Sequence, residues 1–380
     1  MSKITAKIAG IVTTVKNGSI TENKLDSTLL AHIKKDYMTP QMFGAAGDGK
    51  TDDTRAFVNM LASNATSFFI PPGKYKANFT ISKNNISIVG AGRMSQIVSD
   101  ADITVNLQAS NVILDGLYIE STTGTALKGY DVSSILTNCT INNCRFVGAS
   151  FGAYFNTVNG FLINNCRFAG TDNTALRLIN TVDSFVINNI FASSGTGLDV
   201  GSGSVGNTIN GVVSHDNKTY GVDVKNGGNK ISNVRIYCCG SESTYGMRIN
   251  SKAIVCNNIE IQQCYNGGLL IGAEAHNCII NALSLIGNSY SGTPSTECQV
   301  EGDYNQVAGS ICMSHTWAGV SEKGLYAKGT TANSFNFAFI YNLTNTDTVL
   351  PEVTAPCRCS DNFCIWNGVN VTGTAPYNSN

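Results

Sequence analysis

The sequence predicts an all-β chain wound into a parallel β-helix, and three observations predict it. A unit of 22 to 25 residues recurs from about Asn111 to Asn342. Within the unit, apolar and polar residues alternate with a period of two, the pattern of strands buried on one face. No unit contains a ten-residue amphipathic stretch from which a helix would form. Stacked units of this kind share one core and lie roughly 4.8 Å apart.

The closing half of the unit is a small residue followed by apolar-x-apolar, seen in "GAYF", "TALRL", "TGLDV", "YGVDV", "YGMRI" and "GGLLI". The x positions are Tyr154, Arg177, Asp199, Asp223, Arg248 and Leu270, with spacings of 23, 22, 24, 25 and 22 residues. Lys128 extends this outward column at one end, Gln299 and Tyr326 at the other. In the opening half, Asn143, Asn165, Asn189, Gly211, Asn233, Asn258 and Ala282 fall at one register. Inward positions follow directly: Cys144, Cys166, Ile190, Val212, Val234, Ile259 and Leu283. The Asn column is expected to form a side-chain ladder in a turn. A leucine-rich repeat has a similar period, but its L-x-x-L-x-L signature is missing.

Four segments follow. Residues 1–36 read as an attachment or neck segment, with a turn and then a short helix bearing Leu25, Leu29, Leu30 and Ile33 on one face. Such a short helix is marginal alone, so its stripe is expected to pack on other chains. Residues 37–80 open the β-helix with a capping helix, residues 81–343 form it, and residues 344–380, where the period is lost, read as a cap over the open end. The long interval between Leu270 and Gln299 suggests a protruding loop, "NSYSGTPSTE".

Composition narrows the function classes. With 25 basic and 26 acidic residues the formal net charge is −1, which offers no overall basic surface for nucleic acid. No run of eighteen apolar residues exists and no signal peptide is read, so membrane insertion is not expected. Most of the 13 cysteines sit in apolar runs and read as small buried hydrophobes of a protein made in a reducing cytoplasm. Cys357, Cys359 and Cys364 lack a clear fourth ligand, so neither a metal nor a cofactor is expected. Adjacent Cys238 and Cys239 should face opposite sides of a strand.

The segment "FGAAGDGKTDDTRAF" satisfies G-x-x-x-x-G-K-[ST] at Gly44, Gly49, Lys50 and Thr51. A phosphate-binding loop follows a buried strand and starts a helix. Here "DYMTPQM" precedes it and makes a poor central strand. The alternative is a tight turn, with Thr51 or Asp52 capping a helix "DTRAFVNMLA", then the strand and turn "FFIPPGKY".

These residues carry a resemblance. "DYMTPQMFGAAGDGKTDDT" followed by "FFIPPGKY" is similar to the opening segment of pectate-lyase-like right-handed, single-stranded β-helix proteins, above all those of bacteriophage tailspikes. "NGSITENKLDSTLLAHI" resembles linkers of phage tail proteins. The resemblance implies a homotrimer on the virion tail, made in the host cytoplasm. It would bind bacterial surface polysaccharide, capsule or O-antigen, and contact other tail proteins through residues 1–36. It marks the fold and leaves the chemistry open, because such proteins include hydrolases, lyases and non-catalytic binders.

The candidate chemistry lies on the outward columns. Asp199 and Asp223 sit on adjacent rungs, a separation suited to a retaining glycosidase, where they would serve as nucleophile and acid/base. Arg177 and Arg248 would grip an anionic sugar beside Tyr154. A lyase would instead use one of these arginines. The alternative is an Arg–Asp–Asp–Arg ladder that only stabilises the sheet. A second outward column reads Tyr118, Arg145, Arg167, Phe191, Val213, Arg235, Glu260 and Ser284. Arg167 and Arg235 are candidate sugar-binding residues, and Phe191 and Val213 suit either that role or a subunit interface. Further acids are expected in rim loops: Asp216, Glu242, Glu297, Glu301 and Asp303. The functional alternatives are a depolymerase, a receptor-binding module without catalysis, and a structural spike docked on another tail protein.

Overall fold

The computed structural model describes residues 37–130, 134–240, 244–288, 295–314, 321–327 and 333–342, with short strands at 5–8, 11–14, 352–353, 358–359, 363–366 and 369–371. The helix expected around Leu25 to Ile33 and residues 289–294 of the expected "NSYSGTPSTE" loop lie outside these residues. The chain forms a parallel β-solenoid of about 11 turns. A typical turn contributes Leu162–Asn164, Arg167–Ala169 and Thr174–Val182. Each pairs in parallel with its counterpart one turn on, Phe185–Ile187, Ile190–Ala192 and Thr196–Val200. From Lys230 onward the first two strands of a turn run together as one, as in Lys230–Tyr237 and Val255–Gln262. Antiparallel pairing occurs among the described strands only between Thr5–Ile8 and Ile11–Thr14 and between Phe363–Trp366 and Val369–Val371.

The bend between the first two strands requires one left-handed residue per turn. Asn143, Asn165, Asn188, Gly211, Asn233, Asn258 and Ala282 occupy it, with φ between 51° and 66°. Asn bears this conformation better than most residues because its short amide bonds locally. The amides also bond from rung to rung: Asn165 Nδ2 donates to Asn143 Oδ1 at 2.6 Å and Asn258 Nδ2 to Asn233 Oδ1 at 2.8 Å.

One turn departs from the expected register. The left-handed residue is Asn188, not Asn189. Asn189 therefore points inward and is buried, Ile190 faces outward, and Phe191 enters the core. A slip of one residue exchanges the two faces of a strand. Phe191 accordingly belongs to the aromatic stack Phe146–Phe168–Phe191, with ring centroids 5.0 and 5.3 Å apart, and not to an outer surface. Asn189 is satisfied inside: its Oδ1 accepts from Cys166 N at 2.8 Å and its Nδ2 donates to Ile163 O at 2.8 Å. Asn207, Asn288, Asn305 and Asn333 repeat this inner staple. Cysteines 144, 166, 256, 264, 278 and 298 are buried as small core residues, and Cys238 is exposed beside buried Cys239.

At the opening end, the helix Thr54–Ala62 buries Ala56, Phe57, Met60 and Leu61 against the first rung. Phe57 stacks on Phe79 at 4.8 Å and meets the Tyr75 ring edge-on at 5.5 Å. The sequence reading placed the cap at Thr51 or Asp52. Asp52 Oδ1 does accept from Thr54 N at 2.9 Å, but the N-cap position is Asp53 and the helix starts after it. Asp53 is buried and turned the other way. Its carboxylate accepts from Ala46 N at 2.6 Å and Gly47 N at 3.1 Å. The Asp48 carboxylate accepts from Lys50 N and Thr51 N, both at 2.8 Å. The amides that a phosphate would need are thus bonded to the chain's own carboxylates, which excludes the nucleotide reading.

Asp53→Ala would leave two buried amides unpaired. It should lower the unfolding free energy by about 3 kcal/mol, read as a shift of the urea midpoint at pH 7. A change under about 0.5 kcal/mol would show that the turn does not depend on this carboxylate.

Candidate functional site

The first outward column is continuous. Lys128, Tyr154, Arg177, Asp199, Asp223, Arg248, Leu270, Gln299 and Tyr326 are successive register partners on neighbouring strands. Its centre is a closed charge cluster. Arg248 grips Asp223 through two hydrogen bonds, Nε to Oδ1 and Nη2 to Oδ2, each 2.8 Å. Arg177 Nε stands 3.2 Å from Asp199 Oδ2 without the alignment of a hydrogen bond.

The sequence reading missed the group that joins the two halves. Lys225 Nζ lies 2.8 Å from Asp199 Oδ1 and 2.9 Å from Asp223 Oδ2. It sits two residues past Asp223 on the same outward face, so the period-two rule alone was enough to nominate it. The side chains of Asp199 and Asp223 are only 5 % and 3 % exposed, whereas that of Lys225 is 37 % exposed. Burial opposes the lysine charge, but the two carboxylates outweigh it and hold Lys225 above its usual value. The hydrogen bonds to Asp223 likewise raise Arg248. Rings flank the cluster, with Arg248 4.5 Å above Tyr220 and Arg177 5.8 Å from Phe151. Tyr154 is half-buried one rung from Arg177 and accepts from Asn156 Nδ2 at 3.3 Å.

Arg167 and Arg235 lie on a different sheet and do not join this cluster. Arg167 is exposed and pairs in register with Arg145 and Ile190. Three rungs on, Arg235 is held by Glu260 at 2.9 Å, with its guanidinium 5.7 Å from the Tyr237 ring.

A third feature had no counterpart in the sequence reading. A groove of about 510 Å³ runs along the corners before the closing strands, lined by Thr123, Ser150, Asp172, Asn173, Thr196 and Thr219. Its signal was present as the Ser/Thr/Asn cluster before each "apolar-x-apolar" strand. Such residues read as ordinary turn formers and drew no notice.

Of the rim acids, Asp216 is exposed beside His215, Glu301 is exposed, and Glu242 lies outside the described residues. Glu297 corrects the loop assignment: it lies in the strand Ser295–Val300 and is fully buried. Its Oε2 accepts from Asn288 Nδ2 at 2.7 Å, while Oε1 has no partner. Burial raises its pKa to about 7. Among the described residues no group of three or more His, Cys, Asp or Glu side chains is placed to hold a metal.

Two pH dependences follow. A lysine with a raised folded value stabilises the fold fully below its unfolded value of about 10.4 and loses that contribution as pH climbs through the raised value. Lys225→Met should therefore cost about 2 kcal/mol at pH 8, between the worth of an exposed pair and a buried one, and the gap to wild type should close above about pH 10.4. For Glu297 the acid's raised value reverses the sense. The native state holds the proton more tightly, so stability falls as pH rises from the unfolded value of about 4.3 to about 7. Glu297→Gln should raise the thermal midpoint at pH 8 and leave it nearly unchanged at pH 4.5; equal shifts at both would show that the carboxyl's charge plays no part.

No known protein-family profile matches the chain. A stretch of 101 residues, 26% of this chain, is 35% identical to the capsule K30/K69-specific depolymerase of Klebsiella phage K64-1 and spans 13% of that protein. Among solved structures, full-length tailspike protein 2 of an Escherichia coli O157:H7 bacteriophage aligns with a TM-score of 0.59 at 16% identity, over 92% of this chain and 48% of that one. Gene product 12 of bacteriophage phi29, in its pre-mature form, aligns with a TM-score of 0.63 at 14% identity, over 92% of this chain and 60% of that one. At these identities the structural likenesses carry the fold alone: the chain is an all-β parallel β-solenoid, the architecture it shares with the phage tailspike protein, and it spans less than two thirds of the length of each of these proteins.

Proposed function

We propose that the chain is the β-helical body of a bacteriophage tailspike that binds host surface polysaccharide, capsule or O-antigen, along its outer faces. The observation that carries this reading is the local likeness to a phage capsule depolymerase in a chain whose outward residues stack in straight columns. Tyrosines, arginines and hydroxyls repeating roughly every 4.8 Å along such columns suit a long, periodic ligand. The polar groove along the corners offers the hydroxyl and amide partners that sugars need.

The geometry at Asp199 and Asp223 favours binding and scaffolding over hydrolysis. A retaining pair needs one carboxyl that carries a proton. Here all four carboxylate oxygens face Arg177, Lys225 or Arg248 and the two side chains are nearly buried, so neither carboxyl is open to a glycosidic bond. A second reading, in which the pair hydrolyses the bound glycan, is favoured by the local likeness to a capsule-specific depolymerase. It requires Lys225 to withdraw when substrate arrives.

Self-association belongs to the same proposal. Ile113, Leu162, Phe185, Val255 and Ile279 lie on one outward column of the first strand set, with Thr140 after Ile113 and with Thr208 and Lys230 between Phe185 and Val255; Ile113, Phe185 and Val255 are 44%, 46% and 41% exposed. The adjacent pairs Leu162–Phe185 and Val255–Ile279 leave apolar side chains on this sheet face, which suits contact between copies of the chain. A homotrimer is the state proposed, with residues 1–36 contacting another tail protein as the resemblance implies.

The test incubates the protein with surface polysaccharide of candidate hosts and follows retention, new reducing ends and the absorbance of unsaturated uronate. Retention without cleavage is expected; failure to retain any host polysaccharide overturns the reading. If reducing ends form and both Asp199→Asn and Asp223→Asn abolish them, the hydrolytic reading replaces the non-catalytic one. Native mass measurement should give three copies, and a monomer at micromolar concentration refutes the trimer.

A further inference from the structure

At one end of the second outward column stand two arginines, Arg145 and Arg167, for which no carboxylate partner is found among the described residues. Tyr118, Arg145 and Arg167 are register partners on three successive strands. The short 3-10 turn Gly92–Met94 brings Arg93 beside them. Arg177, Arg235 and Arg248 are each in an ion pair, whereas among the described residues none is found for Arg93, Arg145 or Arg167.

Arg145 is the centre of this group. Its Nε is buried without a hydrogen-bond partner, and its guanidinium stands 5.8 Å from the Tyr118 ring. Burial first, then Arg93 and to a lesser degree Arg167, hold it below the usual arginine value; Tyr118 and Glu120 act the other way. Glu120 is engaged on the same strand, accepting from the Tyr118 hydroxyl at 2.9 Å. Three cations thus meet one carboxylate, and the half-buried Arg145 keeps one buried donor, its Nε, unused. Such an arrangement costs stability in the free protein and recovers it when an anion arrives.

Resting on the tailspike reading, we propose that Arg145, flanked by Arg93 and Arg167 and placed over Tyr118, is a subsite for the oxyanion substituent of an acidic polysaccharide. A planar guanidinium matches a carboxylate or a phosphate with two parallel hydrogen bonds, and the neighbouring arginines supply the remaining charge. The Tyr118 ring gives the adjoining sugar an apolar face.

The thermal midpoint of the full chain tests this, with glucuronate and inorganic phosphate as probes and with glucose and sodium chloride at matched ionic strength as controls. The wild type should show a saturable rise with glucuronate, with phosphate or with both, and which of them acts separates a uronate from a phosphate substituent. Arg145→Gln should lose the rise and unfold, without anion, at or above the wild-type midpoint. The exposed Arg167→Gln should need about tenfold more anion for half the effect. No saturable rise in the wild type, or an equal rise in Arg145→Gln, overturns the subsite. So does a lowered unliganded midpoint in Arg145→Gln together with an unchanged response in Arg167→Gln. Host polysaccharide retained equally by wild type and Arg145→Gln removes the subsite and leaves the tailspike reading. An anion response in a protein that retains no host polysaccharide does the reverse.

Discussion

Each turn of this solenoid must return its strands to the same register, so that every amide meets a carbonyl one rung away. The corner residues with left-handed backbone impose that return. Asn143, Asn165, Asn188, Gly211, Asn233, Asn258 and Ala282 make the same bend at the same height in successive turns. Asn is suited twice over, since it tolerates the bend and its amide bonds to the rung before it. The inner staple from Asn189 ties this corner from the core side, and Asn207, Asn288, Asn305 and Asn333 tie other corners in the same way. Parallel stacking without a fixed corner would allow strands to slip, and one residue of slip would turn the phenylalanine stack to solvent.

A fixed register turns sequence period into straight lines of side chains, and that sets the electrostatics. Like charges on adjacent rungs cannot avoid one another, so Asp199 above Asp223 demands cations. Arg177 and Arg248 serve the ends and Lys225 fills the middle. The cluster is nearly dry on the carboxylate side, which makes loss of a partner costlier than the modest worth of an exposed pair. The same rule relieves Arg235 through Glu260.

Much of the architecture was legible because period-two alternation and the repeat length are direct consequences of strand geometry. The first outward column was read correctly through nine rungs, since each "apolar-x-apolar" triplet fixes its own phase. The second failed at one rung, and the reason is local. "NNC" at Asn164–Cys166 and "NNI" at Asn188–Ile190 look alike, yet the left-handed residue is the second Asn in one and the first in the other. Only the fate of the following residue decides: Cys166 fits the core, whereas at Asn189 an amide occupies the inner place and Phe191 follows inward. Lys225 falls just past the "apolar-x-apolar" triplet that marks the column, and the Thr-lined groove is built from turn residues, which carry no distinctive pattern. Glu297 was misplaced because a charged residue reads as a loop, while here Asn288 donates to it in the interior and burial raises its pKa, which lowers the cost of its charge.

Three places in the chain concentrate groups that attract an anion or a cation, and they differ in whether the chain itself supplies the counterpart. In the Gly44–Thr51 turn the amides are taken by the chain's own carboxylates, those of Ala46 and Gly47 by Asp53 and those of Lys50 and Thr51 by Asp48. The Asp199–Asp223 pair is likewise filled by Lys225 and two arginines. Both therefore act on stability, and a ligand would have to displace a partner held at effectively high local concentration. At Arg145 no such partner is provided: a donor is buried unused and like charges crowd it. Where the fold leaves charge uncompensated at a cost to itself, an external group has the most to gain by binding, and on this molecule that place lies on the second column and not at the motif that resembles a nucleotide site.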